Sequence, residues 1–162
     1  MKIAYLADHE ELVPILASWA FSTWGCYNPS YTLEKRIESF NQHRQKDQIP
    51  LALVALSDDG TPMGMASLRP NDGIRDDLTP WLGSVFVEPR FRNRGIAASL
   101  VREIHRVSSE LGFETIYLLT YEPTLPAWYA RLGWDDFGED ACHGNQVNVM
   151  RLEHRKRQPA TD

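Results

Sequence analysis

The sequence predicts a single α/β domain. Three observations carry that expectation. The chain has 162 residues, which suits one domain and leaves two cramped. Segments of strand and helix periodicity alternate in the order β-α-α-β-β-β-α-β-α-β-β, with no linker or internal repeat between them. The 43% hydrophobic and 24% charged content is that of an ordinary globular protein, able to bury a core without disulfides or a metal. Residues 1–154 form the expected domain, and 155–162 an expected frayed tail.

The elements follow from local pattern. Lys2 to Leu6 alternates as a short strand. Asp8 then reads as an N-cap, with Glu11 completing a capping box. Leu12, Ile15, Leu16, Trp19 and Ala20 recur at helical spacing, which predicts a helix from about His9 to Thr23, stopped by Gly25. Asn28-Pro29-Ser30 is a turn. Thr32 caps a second helix, Leu33 to about Arg44, with Ile37 and Phe40 as its apolar stripe.

Leu51–Leu56 is an apolar strand, Asp58-Asp59-Gly60 a hairpin turn, and Pro62–Leu68 the return strand. Gly64 within it marks a bulge or a close approach. Residues 71–79 are polar and read as a loop. Trp81–Val87 is a fourth strand. Ile96–Leu111 is a helix with Leu100, Ile104, Val107 and Leu111 on one face, ended by Gly112. Thr115–Thr120 is a fifth strand and Leu125–Leu132 a short helix, stopped by Gly133. Trp134 begins a strand or turn, and Gln146–Leu152 alternates as the last strand.

Charge and cysteine content narrow the function. The formal charge is −5, from 17 basic and 22 acidic side chains. That disfavours duplex nucleic acid as a partner, because phosphate binding needs a concentrated positive surface. No apolar run is long enough to span a bilayer. The N-terminus turns acidic by Asp8 and does not read as a signal peptide. Cys26 and Cys142 form neither a disulfide framework nor a zinc pattern, so a reduced, cytoplasmic setting without metal is expected.

One stretch carries chemistry: Val85-Phe86-Val87-Glu88-Pro89-Arg90-Phe91-Arg92-Asn93-Arg94-Gly95-Ile96-Ala97-Ala98. A strand runs into a basic loop, then a glycine, then a helix. The first amides of a helix lack intrahelical partners, and its dipole favours anions there. A phosphate can rest on them. Gly95 lets the backbone come close, and Arg90, Arg92 and Arg94 add charge where a pyrophosphate would lie. No Gly-Lys-Ser/Thr follows, which excludes a P-loop, and the three-glycine dinucleotide fingerprint is absent.

This segment resembles the signature of the GNAT superfamily of acetyl-CoA-dependent N-acetyltransferases: Arg or Gln, two residues, Gly, one residue, Gly or Ala. It stands here as Arg92-Asn93-Arg94-Gly95-Ile96-Ala97, after Val87-Glu88-Pro89. Leu125-Pro126-Ala127-Trp128-Tyr129-Ala130-Arg131-Leu132-Gly133-Trp134 is similar to the family's second landmark, a tyrosine helix ending in Leu-Gly-aromatic. The element order also matches, so the resemblance spans nearly the whole chain.

The resemblance implies the single-domain acyl-CoA N-acyltransferase fold, a mixed, mostly antiparallel sheet flanked by helices. It implies acetyl-CoA in a cleft where the fourth and fifth strands splay. The pyrophosphate would lie on the turn of Arg92, Asn93, Arg94, Gly95, Ile96, Ala97 and Ala98. Val85 and Val87 would pair with the pantetheine arm, and Tyr129 would point at the sulfur. Two departures stand out. Ala97 replaces a commoner glycine, and Glu122-Pro123-Thr124 stands where an asparagine often precedes the tyrosine helix.

The implied reaction is acetyl transfer to an amine nitrogen by direct attack in a ternary complex. The amine must lose its proton to a base or a water wire. The Val87 amide is the candidate oxyanion donor, and Tyr129 the candidate acid for the leaving thiolate. No base is legible in the fourth strand. Asp76 and Asp77 are candidate substrate-binding residues, since an acidic loop would attract a cationic amine. Trp19, Trp24 and Tyr27 either wall the acceptor pocket or pack in the core. His105, on the long helix, has no ligand spacing around it. The partner expected is a small-molecule amine, with no nucleic acid or membrane. A protein N-terminus or lysine, a non-catalytic acyl-CoA sensor and a nucleotide-binding module remain alternatives, and a homodimer is left open.

Overall fold

The computed structural model describes residues 1–154; the expected tail, 155–162, lies outside them. The strands are β1 (Lys2–Tyr5), β2 (Leu51–Leu56), β3 (Pro62–Arg69), β4 (Trp81–Val87), β5 (Thr115–Thr120), β6 (Asp135–Cys142) and β7 (Asn145–Glu153). The helices are α1 (Val13–Trp24), α2 (Leu33–Gln42), α3 (Ile96–Glu110) and α4 (Leu125–Arg131). The strands form one sheet in the order β1-β2-β3-β4-β5-β7-β6. Every neighbouring pair is antiparallel except β4 and β5. The element order is the one the sequence predicts.

Helices cover both faces, and β2 shows why its apolar run does not alternate. Leu51, Leu53 and Ala55 join the core beneath α3, with Leu100, Ile104 and Val107. Ala52, Val54 and Leu56 join the core beneath α1 and α2, with Leu16, Ala20 and Phe40. A strand buried on both sides reads as continuous hydrophobicity. Gly64 in β3 is a close approach: a Cβ there would lie 2.7 Å from the Phe86 carbonyl oxygen. The edge strand β6 is mostly exposed and acidic, which discourages pairing with another chain.

The start of α1 differs from expectation. Leu12 rather than Asp8 is its N-cap, without a side-chain cap bond, and two short 3-10 turns (Leu6–Asp8, Glu10–Leu12) precede it. Pro14 is the reason. In a helix begun at His9 its ring would clash with the carbonyl four residues back, whereas in the first turn of α1 it costs nothing. Asp8 instead pairs with Lys46 at 2.5 Å. The Thr32 cap holds, its Oγ1 accepting the Lys35 N–H at 3.2 Å. Gly25 keeps a right-handed conformation and passes α1 into another 3-10 turn, Gly25–Tyr27.

Candidate active site

β4 and β5 begin as neighbours and then part. Their parallel pairing is confined to Trp81 opposite Tyr117, beside a Tyr117 N–H donated to the Pro80 carbonyl at 3.0 Å. Beyond that point β4 is paired only with β3, and β5 only with β7. The facing edges line a groove of about 1040 Å³, large enough for an extended ligand. A bulge in β4 shapes its floor. Met65 opposes Phe86 and Ser67 opposes Gly83, so Ser84 and Val85 together face Ala66. Ser84 sits at φ +52, in the left-handed region that side chains other than glycine seldom occupy. Such a bulge bends the strand and redirects its backbone groups.

At one end of the groove β4 runs into the basic turn. Asn93 and Gly95 have φ of +63 and +77, and Gly95 is the N-cap of the fifteen-residue α3. No side chain caps this helix. Its first intrahelical bond is Ser99 N–H to Gly95 O, 3.1 Å, so the amides of Ile96, Ala97 and Ala98 precede the ladder. A Cβ on Gly95 would meet no protein atom within 4 Å. The turn therefore presents uncommitted N–H donors at the positive end of a helix dipole.

The three arginines separate. The Arg92 Nε donates to the Val87 carbonyl at 2.9 Å, which ties the turn to β4, and its side chain lines the groove. Arg90 pairs with Glu88 at 3.1 Å and Arg94 lies 5.7 Å from the Phe91 ring. Neither Arg90 nor Arg94 contributes to the groove wall.

At the middle of the groove, α4 presents Leu125, Trp128 and Tyr129. Tyr129 is 6% exposed, held edge-on by Trp128 at 4.9 Å and Trp134 at 5.9 Å. Burial raises its phenol above the ordinary value, so it is protonated at neutral pH and able to donate.

The other end is built from side chains of several elements. Tyr31, Arg36, Ser39 and His43 come from α2 and its flanks, Arg69 and Asp72 from the end of β3, Tyr121 and Glu122 from the end of β5, and Cys142 from β6. The Arg69 guanidinium lies across Gly83, where a Cβ would stand 2.8 Å from it. It donates to Asp72 at 3.2 Å, to Ser67 Oγ at 2.8 Å and to Ser84 Oγ. Burial lifts the Asp72 pKa, and the charges of Arg69 and Arg36 oppose that rise.

His43 is 5% exposed. Burial, with Arg69 and Arg36 nearby, pushes its pKa down to about 3. Its Nδ1 lies 2.6 Å from the Ser39 carbonyl oxygen. Tyr27 stacks on Tyr121 at 3.9 Å and donates to Glu122 at 3.4 Å.

Of the residues singled out by the sequence, the structure brings Val85, Val87, Arg92, Asn93, Gly95, Ile96, Ala97, Ala98 and Tyr129 along this one groove, together with Trp24 and Tyr27. Trp19 instead packs on Phe86 at 5.1 Å, beside the core under α1. Asp76 and Asp77 stand outside the groove wall. Asp76 accepts from Asn71 at 2.7 Å, and Asp77 pairs with Arg75 at 3.0 Å. Arg36, His43, Arg69 and Asp72 were not legible as site residues. Their sole signal is the seven-residue spacing of Arg36 and His43, which shares a helix face. Among the described residues, no group of three or more His, Cys, Asp or Glu could hold a metal ion.

A family model described as "Acetyltransferase (GNAT) family" matches residues 15–134. The uncharacterized N-acetyltransferase YhbS of Escherichia coli strain K12 is 31% identical over 94 residues, which is 57% of this chain and 53% of that protein. The matched stretch is thus about half the length of that relative. Among solved structures, an aminoglycoside 6'-N-acetyltransferase complexed with coenzyme A superposes with a TM-score of 0.74 at 19% identity, covering 98% of this chain and 100% of that one. A GCN5-related N-acetyltransferase from Kribbella flavida gives 0.73 at 17%, covering 94% and 97%. The yncA structure from Salmonella typhimurium, with its cofactor acetyl-CoA, gives 0.69 at 15%, covering 99% of each chain. At these identities the likeness is one of fold.

Proposed function

This chain belongs to the GNAT acetyltransferase family, and from that premise we propose that it moves an acetyl group from acetyl-CoA to the amine of a small molecule, by direct attack in a ternary complex. One observation carries the reading. A single groove joins uncapped helix amides, the open edges of two parted strands, a buried tyrosine and a chamber of polar side chains.

The residues present fit the co-substrate. The Ile96, Ala97 and Ala98 amides and Arg92 suit a pyrophosphate, and the parted edge of β4 at Val85 and Val87 suits an amide-bearing arm. Asn93 and Gly95 shape the turn, and Arg94 adds charge at its exposed side. Acetyl-CoA supplies an activated thioester carbonyl. The chain supplies position, a donor for the carbonyl oxygen at the Val87 amide and the Tyr129 hydroxyl for the departing sulfur. Glu122, exposed on the groove wall and bonded to Tyr27, takes the amine proton through water. His43, with its pKa near 3, is too weak a base for that step.

Two free thiols support a reducing, cytoplasmic setting, and no described helix is long and apolar enough to cross a membrane. The test is thiol release from acetyl-CoA across a panel of small amines and peptides. Amine-dependent release with small molecules is expected. Release with peptides alone would move the acceptor to proteins. Tight coenzyme A binding without release would make the protein a sensor, and tight ATP binding without coenzyme A competition a nucleotide module.

A further inference from the structure

Among the described residues, five buried side-chain nitrogen or oxygen atoms lack a hydrogen-bond partner: Arg36 Nε, His43 Nε2, Thr120 Oγ1, Trp134 Nε1 and His154 Nδ1. The first three belong to residues on the groove wall. Buried polar atoms are nearly always paired, so three orphans among the residues of one wall set this wall apart.

Two of them have definite chemistry. Arg36 lies on α2, and His43, seven residues on, is its C-cap. The Arg36 guanidinium stacks 4.2 Å from the Tyr31 ring and takes part in none of the ion pairs found among the described residues. The nearby carboxylate, Asp72, is engaged by Arg69 at 3.2 Å. The second carboxylate at this end, Glu122, accepts from Tyr27 at 3.4 Å, so Arg36 is left as a guanidinium without a carboxylate partner among the described residues, although the whole chain is acidic. A carbonyl oxygen only accepts, so the His43 Nδ1, 2.6 Å from the Ser39 carbonyl, carries the ring proton. The buried Nε2 is then a lone pair without a partner. Arg36 offers N–H donors and positive charge to an anion.

We propose that the acceptor is a zwitterion: an amine that also bears a carboxylate, with the carboxylate on Arg36. The inference rests on the acetyl-transfer reading and narrows its substrate class. Local charge overrides the net charge of −5, because the field in a partly enclosed groove is set by the groups that line it.

The test compares α-amino acids with their carboxamides and with the corresponding decarboxylated amines in steady-state thiol release. The wild-type enzyme should favour the carboxylate form by about 10- to 100-fold in kcat/KM, the range expected for a charge-assisted hydrogen bond to a partly buried cation. Arg36→Met should bring that ratio to within about threefold, and Arg36→Lys should keep an intermediate preference, since lysine retains the charge but not the fork. Coenzyme A affinity, measured by calorimetry, reports that both variants are folded. A preference for decarboxylated amines, or a carboxylate preference that survives Arg36→Met, overturns the proposal and leaves acetyl transfer standing. If no amine releases thiol, acetyl transfer fails, and melting curves with coenzyme A decide the site alone. Stabilisation by the amino acid but not its carboxamide, lost in Arg36→Met, supports it; equal shifts overturn it.

Discussion

The two ends of the groove are built in opposite ways. The anion turn is made of backbone from one continuous stretch, Val87 to Ala98, with its donors left over from the start of α3. The far end is made of side chains from α2, β3, β5 and β6, separated by more than a hundred residues in sequence. In the proposed function, the first end would hold what every acyl-CoA shares, its phosphates. The second would face the amine acceptor. A backbone device is fixed by local geometry and tolerates variation around it, whereas a side-chain chamber changes with each substitution.

Tyr129 stands where the two ends meet, and its removal should have the largest effect. Phenylalanine keeps the ring between Trp128 and Trp134 and removes only the hydroxyl. Turnover should fall by ~10²–10⁴, the usual contribution of a general acid. Coenzyme A affinity should barely move, and the loss should shrink with an acyl donor whose thiol is more acidic. Because burial raises the phenol above its ordinary value, the hydroxyl keeps its proton from pH 7 to beyond pH 10, and no alkaline loss of rate in that range should trace to it. Thiol release, with melting temperature as the folding control, checks this; parent-like turnover by a folded Tyr129→Phe protein would leave water as the proton source.

Gly95→Glu should break one end alone. It puts a side chain at φ +77 and a negative charge against the phosphates. Coenzyme A affinity should drop by about 100-fold or more, by analogy with reversing a charge at a helix N-terminus and straining a left-handed residue. Calorimetry on the folded variant settles the point, since unchanged affinity would remove the turn from the phosphate site.

The far end should betray itself through pH. His43 has a folded pKa of about 3 against about 6.5 in an unfolded chain. The unfolded state therefore binds the proton first. The stabilisation is complete above pH 6.5 and is lost as pH falls toward 3, amounting to about 2 kcal/mol at pH 5 by linkage. Arg36 and Arg69 both face the ring and add to the effect. Denaturant melts at pH 7 and pH 5 should show a steeper decline for the parent than for His43→Gln, and parallel declines would place the ring in water.

Smaller effects separate residues on the wall from residues beside it. Arg92→Ala should weaken coenzyme A by about 10-fold, the scale of one charged hydrogen bond, while Arg90→Ala, already paired with Glu88, should change it less than about twofold. The smallest change belongs to Asp76 and Asp77. With their carboxylates bonded to Asn71 and Arg75 on an exposed loop, converting both to asparagine should move the acceptor KM by less than about twofold. A larger rise, with the KM of acetyl-CoA constant, would restore them as an electrostatic lure.

The sequence by itself determined the element order, the anion turn and the tyrosine helix. Each depends on neighbours in the chain: periodicity, a glycine before a helix, an aromatic before Leu-Gly. The capping pattern at Asp8 misplaces the start of α1, although Pro14 forbids a helix begun so early. The far end of the groove was decided by tertiary structure alone. Arg36, His43, Arg69 and Asp72 look like ordinary polar residues in sequence, and nothing local distinguishes them from solvated ones. They come together because the splay of β4 and β5 opens a groove, the Ser84 bulge and the missing Cβ of Gly83 let Arg69 lie across it, and α2 packs close enough to bury polar atoms without partners. Desolvation and charge pairing depend on distance through space, and that distance exists only once the sheet has assembled.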